Sequence, residues 1–342
     1  MTVNADLDVR LLDVLRTVSG RPELAYASEP VPLTGGFWAE LLAFSLADPP
    51  SGWPRELVAR IMPDAALACK ETIVQAAVSA AGFPTPVVRA SGGPDDGLGR
   101  AFMVMDRAAG VPLLRGLTGA SALVSGLRQA TRIPEALASA MATLHALDPE
   151  PVREQLGPHS EVPVTLPGLL HTLRDAAALC QRDDLVRAAR WLIDHPRPPT
   201  PEVICHGDVH PFNVLGTGEQ ITVLDWSACL LAPRAYDVAF TTSILSDPPV
   251  LLPAQLRPLV RRTGRLLARR FIRRYEAHAA VSIGKQDVRW HQAVVSLRAL
   301  VEVARWAEEG VVGYRAGHPW LVSGSAMAAR LTSVTGVMAR PQ

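Results

Sequence analysis

The 342-residue chain is short of cysteine, lysine, aromatics and long apolar runs, and each shortage removes a class of protein. Its four cysteines, Cys69, Cys180, Cys205 and Cys229, are widely spaced with no CxxC pair, so spacing supplies neither a disulfide framework nor a zinc site. Only Lys70 and Lys285 are lysines among 34 basic residues, so a cation needed for chemistry will usually be an arginine. Basic and acidic residues nearly cancel at +1, which argues against a dedicated nucleic-acid binder. No run approaches the ~20 apolar residues that cross a bilayer. The first twenty residues mix charges with leucines and valines and hold no signal-peptide core. The expectation is a cytoplasmic protein with reduced thiols and neither a membrane nor a nucleic-acid partner.

What is present is globular: 48% hydrophobic and 20% charged residues, in a length that suits about two domains. Residues 5 to 19 place Leu7, Leu11, Leu12 and Leu15 at helical spacing. Extended pieces follow in AYASEPVPL, AELLAFSL and ELVARIM, with Thr34-Gly35-Gly36 as the turn between the first two. DAALACKETIVQAAVSAAG reads as a helix stopped at Gly82, and AFMVMD as a later strand. After Gly110 helical periodicity takes over, in EALASAMATLHAL, LLHTLRDAAALCQ, LVRAARWLID and much of 254 to 309. Residues through 114 carry 9 basic and 13 acidic side chains, and the rest carry 25 and 20. The predicted organisation is α+β: a small sheet-rich N-lobe over 1–107 and a larger helical C-lobe over 108–342.

One strand-turn-strand island interrupts the helices: EVICHGDVHPFNVLGTGEQITVLDWS. Val203 to Cys205 approach the polar turn, Val214-Leu215 leave it, and Ile221 to Leu224 lead into Asp225-Trp226. Two short strands thus deliver Asp208, Asn213 and Asp225 to one end of a hairpin-like unit. Phosphoryl transfer from ATP needs one carboxylate to orient the attacking hydroxyl and accept its proton. It also needs an Asn and a second carboxylate as hard oxygen ligands for Mg²⁺. The spacing H-x-D-x-x-x-x-N, with a strand-terminal Asp twelve residues on, supplies that set.

The stretch resembles the aminoglycoside phosphotransferase and choline kinase-like family of small-molecule kinases, whose signature has the form HGDxHPxNhh followed by hhDW. The resemblance implies a bilobal protein-kinase-like fold, Asp208 as the catalytic base or hydroxyl-orienting group, and Asn213 and Asp225 as ligands of Mg²⁺. His206 then serves the loop structurally, and Phe212 stands where a smaller residue is common. The likeness extends from about residue 31 to 310. It sets Gly35 and Gly36 in a phosphate-covering hairpin, with Trp38 where the family often has a small polar residue. Arg60 falls where a basic residue holds the α- and β-phosphates, and Glu71 where its acidic partner lies. MVMDRAAG matches an interlobe linker, so backbone from Asp106 to Ala108 would bond adenine and Met105 would line its pocket. Asp237, in AYDVAF, matches a brace of the catalytic loop, and His145 a packing residue. Trp290, His291, Glu302 and Trp306 belong to paired C-terminal helices that wall the acceptor site, or to the core.

The reaction implied is transfer from ATP, or GTP, to a hydroxyl of a small molecule. A catalytically silent nucleotide- or ligand-binding module is the alternative, but it would be expected to have lost Asp208, Asn213 or Asp225. A protein kinase is disfavoured by the HGD and DW forms. The positive balance beyond residue 114 gives no support to a polycationic acceptor, so macrolides or hydroxyacyl compounds fit at least as well. Eight arginines between Arg257 and Arg274 read as a solvated helix face with Leu259, Leu266, Leu267 and Phe271 opposite, or as an anion site.

Overall fold

A computed structural model describes residues 5–33, 39–114, 122–157, 160–217, 220–248, 255, 257–310 and 318–341. In chain order it runs α1 (Ala5–Ser19), β1 (Tyr26–Pro32), β2 (Glu40–Leu46), β3 (Glu56–Met62), α2 (Ala65–Ala80), β4 (Val88–Gly92), β5 (Ala101–Asp106) and β6 (Val111–Pro112). Next come α3 (Ala122–Leu144), α4 (Glu150–Leu156), α5 (Leu166–Leu179), α6 (Asp183–Asp194), β7 (Glu202–Cys205), β8 (Val214–Thr217), β9 (Gln220–Val223) and β10 (Leu230–Pro233). The chain ends with α7 (Ala235–Ser246), α8 (Arg257–Ala279), α9 (Lys285–Glu308) and α10 (Pro319–Thr335). No described helix is long and apolar enough to cross a membrane. Two compact units result, one of residues 1–111, 150–162 and 215–227, the other of 112–149, 163–214 and 228–342.

The first unit is built on an antiparallel sheet in the order β1-β2-β3-β5-β4. Side chains alternate across a strand, and β3 is buried on both faces. Leu57, Ala59 and Ile61 join Leu11 and Leu15 of α1 in one core, while Met62 joins Ala68 and Met103 on the other face. Each large apolar side chain buried there contributes about 1.5–3 kcal/mol. Arg60 lies between Ala59 and Ile61 and so points away from the α1 core, toward the face that α2 covers. Helix α2 is capped by the Asp64 side chain, which accepts from the Leu67 N–H at 2.9 Å. The sequence shows no clear signal for β4, an edge strand of five residues preceded by Pro84 and Pro86.

The second unit is helical, with β7 and β10 paired antiparallel, Cys205 opposite Leu230. Helix α9 is buried on most sides along its middle, including Val294, Val295, Leu297, Leu300 and Val301, which marks it as central. Leucines of α5 and α6 and Met327, Ala328 and Leu331 of α10 pack around it. Helix α8 departs from expectation. Its buried stripe is Gly264, Ala268, Phe271 and Tyr275, whereas Leu259 and Leu266 are exposed. The reason is a close helix crossing: a Cβ at Gly264 would stand 2.2 Å from the Leu245 carbonyl oxygen, so the glycine sets which face turns inward.

Candidate active site

In the first unit Arg60, Glu71 and Asp225 meet. Arg60 Nε lies 3.1 Å from Glu71 Oε1, and its Nη2 lies 3.2 Å from Asp225 Oδ1. Burial pushes the Glu71 carboxyl up to about 7, against the pull of Arg60 and of the Trp226 backbone N–H. Burial also works against the Arg60 cation, but Glu71 and Asp225 outweigh it and hold the guanidinium above its ordinary value. Asp225 follows β9 with a positive φ of 68°, a conformation uncommon for a residue with a side chain. Its Oδ1 accepts from the Ser227 hydroxyl at 2.7 Å.

Trp226 anchors the turn. Its indole N–H donates to Thr85 Oγ1 at 2.9 Å, and the Thr85 hydroxyl donates to the Val223 carbonyl at 2.9 Å. The fully buried ring also meets Phe83 edge to face. The family pattern names this tryptophan without saying what it does, and here it ties the strand bearing Asp225 to the loop before β4.

In the second unit the loop after β7 carries His206 to Asn213. Gly207 has φ of 76°, and a Cβ there would lie 2.2 Å from the Ala228 carbonyl oxygen, so only glycine fits. Asn213 Nδ2 donates to Asp208 Oδ2 at 2.8 Å and to the Asp208 carbonyl at 3.1 Å. The Asp208 side chain is 22% exposed, open to a reactant yet held in place. His206 is fully buried, and its Nδ1 accepts from the Asp208 N–H at 3.2 Å. His210 Nδ1 accepts from the Phe212 N–H at 3.2 Å, which leaves Nε2 to face Asp208 Oδ2 at 3.5 Å.

Asp237, at the start of α7, holds this loop from beneath. Its carboxylate accepts from the His206 N–H at 2.8 Å and the Gly207 N–H at 2.6 Å. His145 Nε2 lies 3.1 Å from the same carboxylate, and its Nδ1 is hydrogen-bonded with the Tyr275 hydroxyl at 2.7 Å. Burial alone would raise the Asp237 carboxyl, but His145, His206 and the Gly207 N–H hold it below the ordinary range. Cys205 also lies close to His145 and Asp237, but with these bonds made the trio reads as packing rather than a metal site.

The remaining expected site residues fall as follows. Gly35 and Gly36 lie outside the described residues. The Met105 sulfur accepts from Gln75 Nε2 at 3.3 Å. Asp106 is gripped by Arg89 at 2.6 and 2.8 Å, and its N–H bonds the Val87 carbonyl. The Arg107 N–H bonds the Glu56 carbonyl, whereas no hydrogen bond takes the Ala108 N–H among the described residues. Trp290, His291 and Trp306 are buried core residues. Arg298, on α9, was not singled out by the sequence. It touches Gly207, Tyr236 and Glu302.

Burial drives the His291 imidazole down to about 4, with only a partial counter-pull from the Asp287 carbonyl and charge. An unfolded histidine near 6.5 takes up a proton that the folded one refuses. The folded chain therefore keeps its full stability above about pH 6.5 and loses ~3 kcal/mol by pH 4 through this group alone. Urea titrations across that window are expected to show the slope, and His291→Gln to flatten it. An unchanged slope would count against the assignment.

Residues 46–270 match the family model described as the phosphotransferase enzyme family. Nothing matches among the curated proteins. Among solved structures, the chain is similar to a protein of Ralstonia eutropha JMP134 provisionally assigned as an aminoglycoside phosphotransferase. That likeness has 17% identity and a TM-score of 0.64, over 97% of this chain and 98% of that one. Aminoglycoside phosphotransferase APH(4)-Ia is similar at 17% identity and a TM-score of 0.59, over 97% and 99% of the two chains. Macrolide 2'-phosphotransferase type I is similar at 18% identity and 0.56, over the whole of both chains. At these identities the likeness is one of fold, the α+β kinase-like fold.

Proposed function

The chain belongs to the phosphotransferase enzyme family and is a small-molecule phosphotransferase; on that premise we propose that it transfers the γ-phosphoryl group of ATP to a hydroxyl of its acceptor, with Asp208 as catalytic base. The observation that carries this reading is the Asp208 carboxylate, partly exposed and aimed by Asn213 on a loop braced through Asp237. The acceptor oxygen forms a bond to the γ-phosphorus as the bridging P–O bond to the β-phosphate breaks. ADP leaves, and Asp208 takes the hydroxyl proton. The protein contributes mainly positioning and charge, because this reaction asks little covalent work of it.

Arg60 supplies the cation for the α- and β-phosphates, with Glu71 holding it. The Ala108 N–H is the linker donor best suited to adenine. Gly35 and Gly36 would cover the phosphates with backbone N–H groups. Met105 and Asp106 would border the base. GTP is a possible donor, since an APH(2")-IIIa neighbour is known with GDP and kanamycin, while APH(4)-Ia is known with the ATP analogue AMP-PNP.

Taken one at a time, Asn213 and Asp225 are each suited to be a Mg²⁺ ligand. Asn213 spends its amide nitrogen on Asp208, which keeps its carbonyl oxygen for a cation, and the Asp225 carboxylate is 29% exposed. Bound there, Mg²⁺ would neutralise charge on the triphosphate. Asp225→Ala is therefore expected to abolish the Mg²⁺ dependence of nucleotide binding and weaken affinity at least ~10-fold. Calorimetric titrations with and without the metal check it, and an unaltered metal response would remove Asp225 from the role.

The acceptor is a hydroxyl compound; the positive balance beyond residue 114 gives no support to a polycation, and an apolar or anionic compound fits at least as well. Incubation with Mg·ATP and a pooled panel of aminoglycosides, macrolides, amino alcohols and hydroxy acids, read by mass spectrometry, tests both points. A phosphoryl increment on one class, absent with Asp208→Asn, is the supporting result. Failure to bind any nucleotide would overturn the reading.

A further inference from the structure

We infer that Arg298 is a positioning residue for the reaction, fixing the peptide that carries Asp208; the inference rests on Asp208 being the catalytic base. The Gly207–Asp208 peptide is held at both ends. Its carbonyl accepts from Arg298 Nη1 at 2.9 Å, and its N–H donates to His206 Nδ1 at 3.2 Å. Rotation of this plane is the motion that would re-aim the Asp208 side chain. The neighbouring peptide cannot compensate, because the Gly207 N–H is bonded to Asp237 and the Gly207 α-carbon abuts Ala228. Among the contacts just named, the one from Arg298 comes from a helix outside the β7–α7 segment, so it references the loop to the central helix of the unit.

Arg298 is itself immobilised. Its guanidinium lies 5.0 Å from the Trp320 ring centroid and 5.8 Å from that of Phe240, and Nη1 reaches the Tyr236 hydroxyl at 3.3 Å. Nε lies 3.4 Å from Glu302 Oε1 on the next turn of α9. The side chain is 11% exposed. Burial opposes its charge, but Tyr236, Glu302 and Asp208 more than offset that and keep the cation firmly protonated. A mostly covered arginine with its planar fork spread over a carbonyl, a hydroxyl and a carboxylate is a geometric fixture, and lysine could not make all three contacts.

The test is a double-mutant cycle with Arg298→Met and Arg298→Lys, each in the natural and the Asp208→Asn background. In the natural background Arg298→Met is expected to lower kcat about 100-fold, the scale of a small misplacement of a reacting group. KM for ATP should stay within about threefold, the pattern of an interaction felt mainly in the transition state. Arg298→Lys should restore part of kcat. In the Asp208→Asn background Arg298→Met should change residual turnover by less than about threefold, because the group it aims is gone. Unfolding midpoints are recorded in parallel, with kcat measured well below them. Full kcat in folded Arg298→Met, or an undiminished effect beside Asp208→Asn, would overturn the inference. If Arg298→Met does not fold, Arg298→Lys carries the same cycle with the same two outcomes. Near-normal turnover by Asp208→Asn alone would instead remove the reading beneath it.

Discussion

Asp208→Asn is expected to lower kcat by at least ~10³-fold with nucleotide affinity within a few-fold of the natural protein. The substitution is nearly isosteric, and an asparagine oxygen can still accept the bond that Asn213 now donates to Asp208 Oδ2 at 2.8 Å. The loop should therefore keep its shape, since its other ties run through backbone atoms of His206 and Gly207. What is lost is a carboxylate able to take a proton. General-base catalysis is worth about 10²–10⁴-fold, and misorientation of the hydroxyl adds to it. Steady-state turnover and isothermal titration with nucleotide, run on the same preparation, check the two halves. Turnover within tenfold of normal would remove Asp208 from the role of base.

The second large effect concerns stability. Asp237→Ala strips acceptors from two buried N–H groups and from His145 at once. Removing one member of a buried, hydrogen-bonded charged cluster costs about 3–5 kcal/mol. Each orphaned buried donor alone costs about 1–3 kcal/mol. The variant should show a lower urea midpoint and, where folded, a disordered loop with little turnover. Asp237→Asn should recover part of the loss, since its single oxygen can serve some of the donors. Acid titration gives a second readout with a definite sign. A carboxyl held below its unfolded value of 3.8 contributes stability that is present above that pH and disappears as pH falls through the folded value. Asp237→Ala should lose that acid-dependent component, while a midpoint equal to that of the natural protein would show that the brace is dispensable.

The geometry of the candidate site was legible in the sequence where residues lie close together in the chain. Asp208 and Asn213 share one loop and are hydrogen-bonded, because five residues of turn leave little choice. Arg60, Glu71 and Asp225 are brought together from positions up to 165 residues apart, and only a resemblance to a family pattern could pair them in advance. The main α2 helix and strands β1, β2, β3 and β5 announce themselves by period and by their stops. Strands β4 and β10 do not. They have five and four residues, too few for a pattern; β4 exists because the longer β5 offers a free edge, and β10 pairs with the equally short β7. The inward face of α8 was misread because a helix of eight arginines suggests one partition of faces, and a glycine crossing decided another. Arg298 was invisible among so many arginines. Its role depends on a carbonyl 91 residues earlier, which no local spacing encodes.

The discontinuous make-up of the first unit has a consequence during synthesis. Its sheet is complete once residue 106 has left the ribosome, yet segments 150–162 and 215–227 of the same unit do not exist at that moment. Elongation at ~5–20 residues per second separates the sheet from Asp225 by on the order of ten seconds. Through that interval Arg60 and Glu71 have no second carboxylate, and Thr85 has neither the Val223 carbonyl nor the Trp226 indole to bond. The nascent sheet must wait, with these groups left to water, for the later segments that complete its unit. A fragment ending at residue 111 would be frozen in that state, so a cut in the gene there would not yield two self-sufficient pieces.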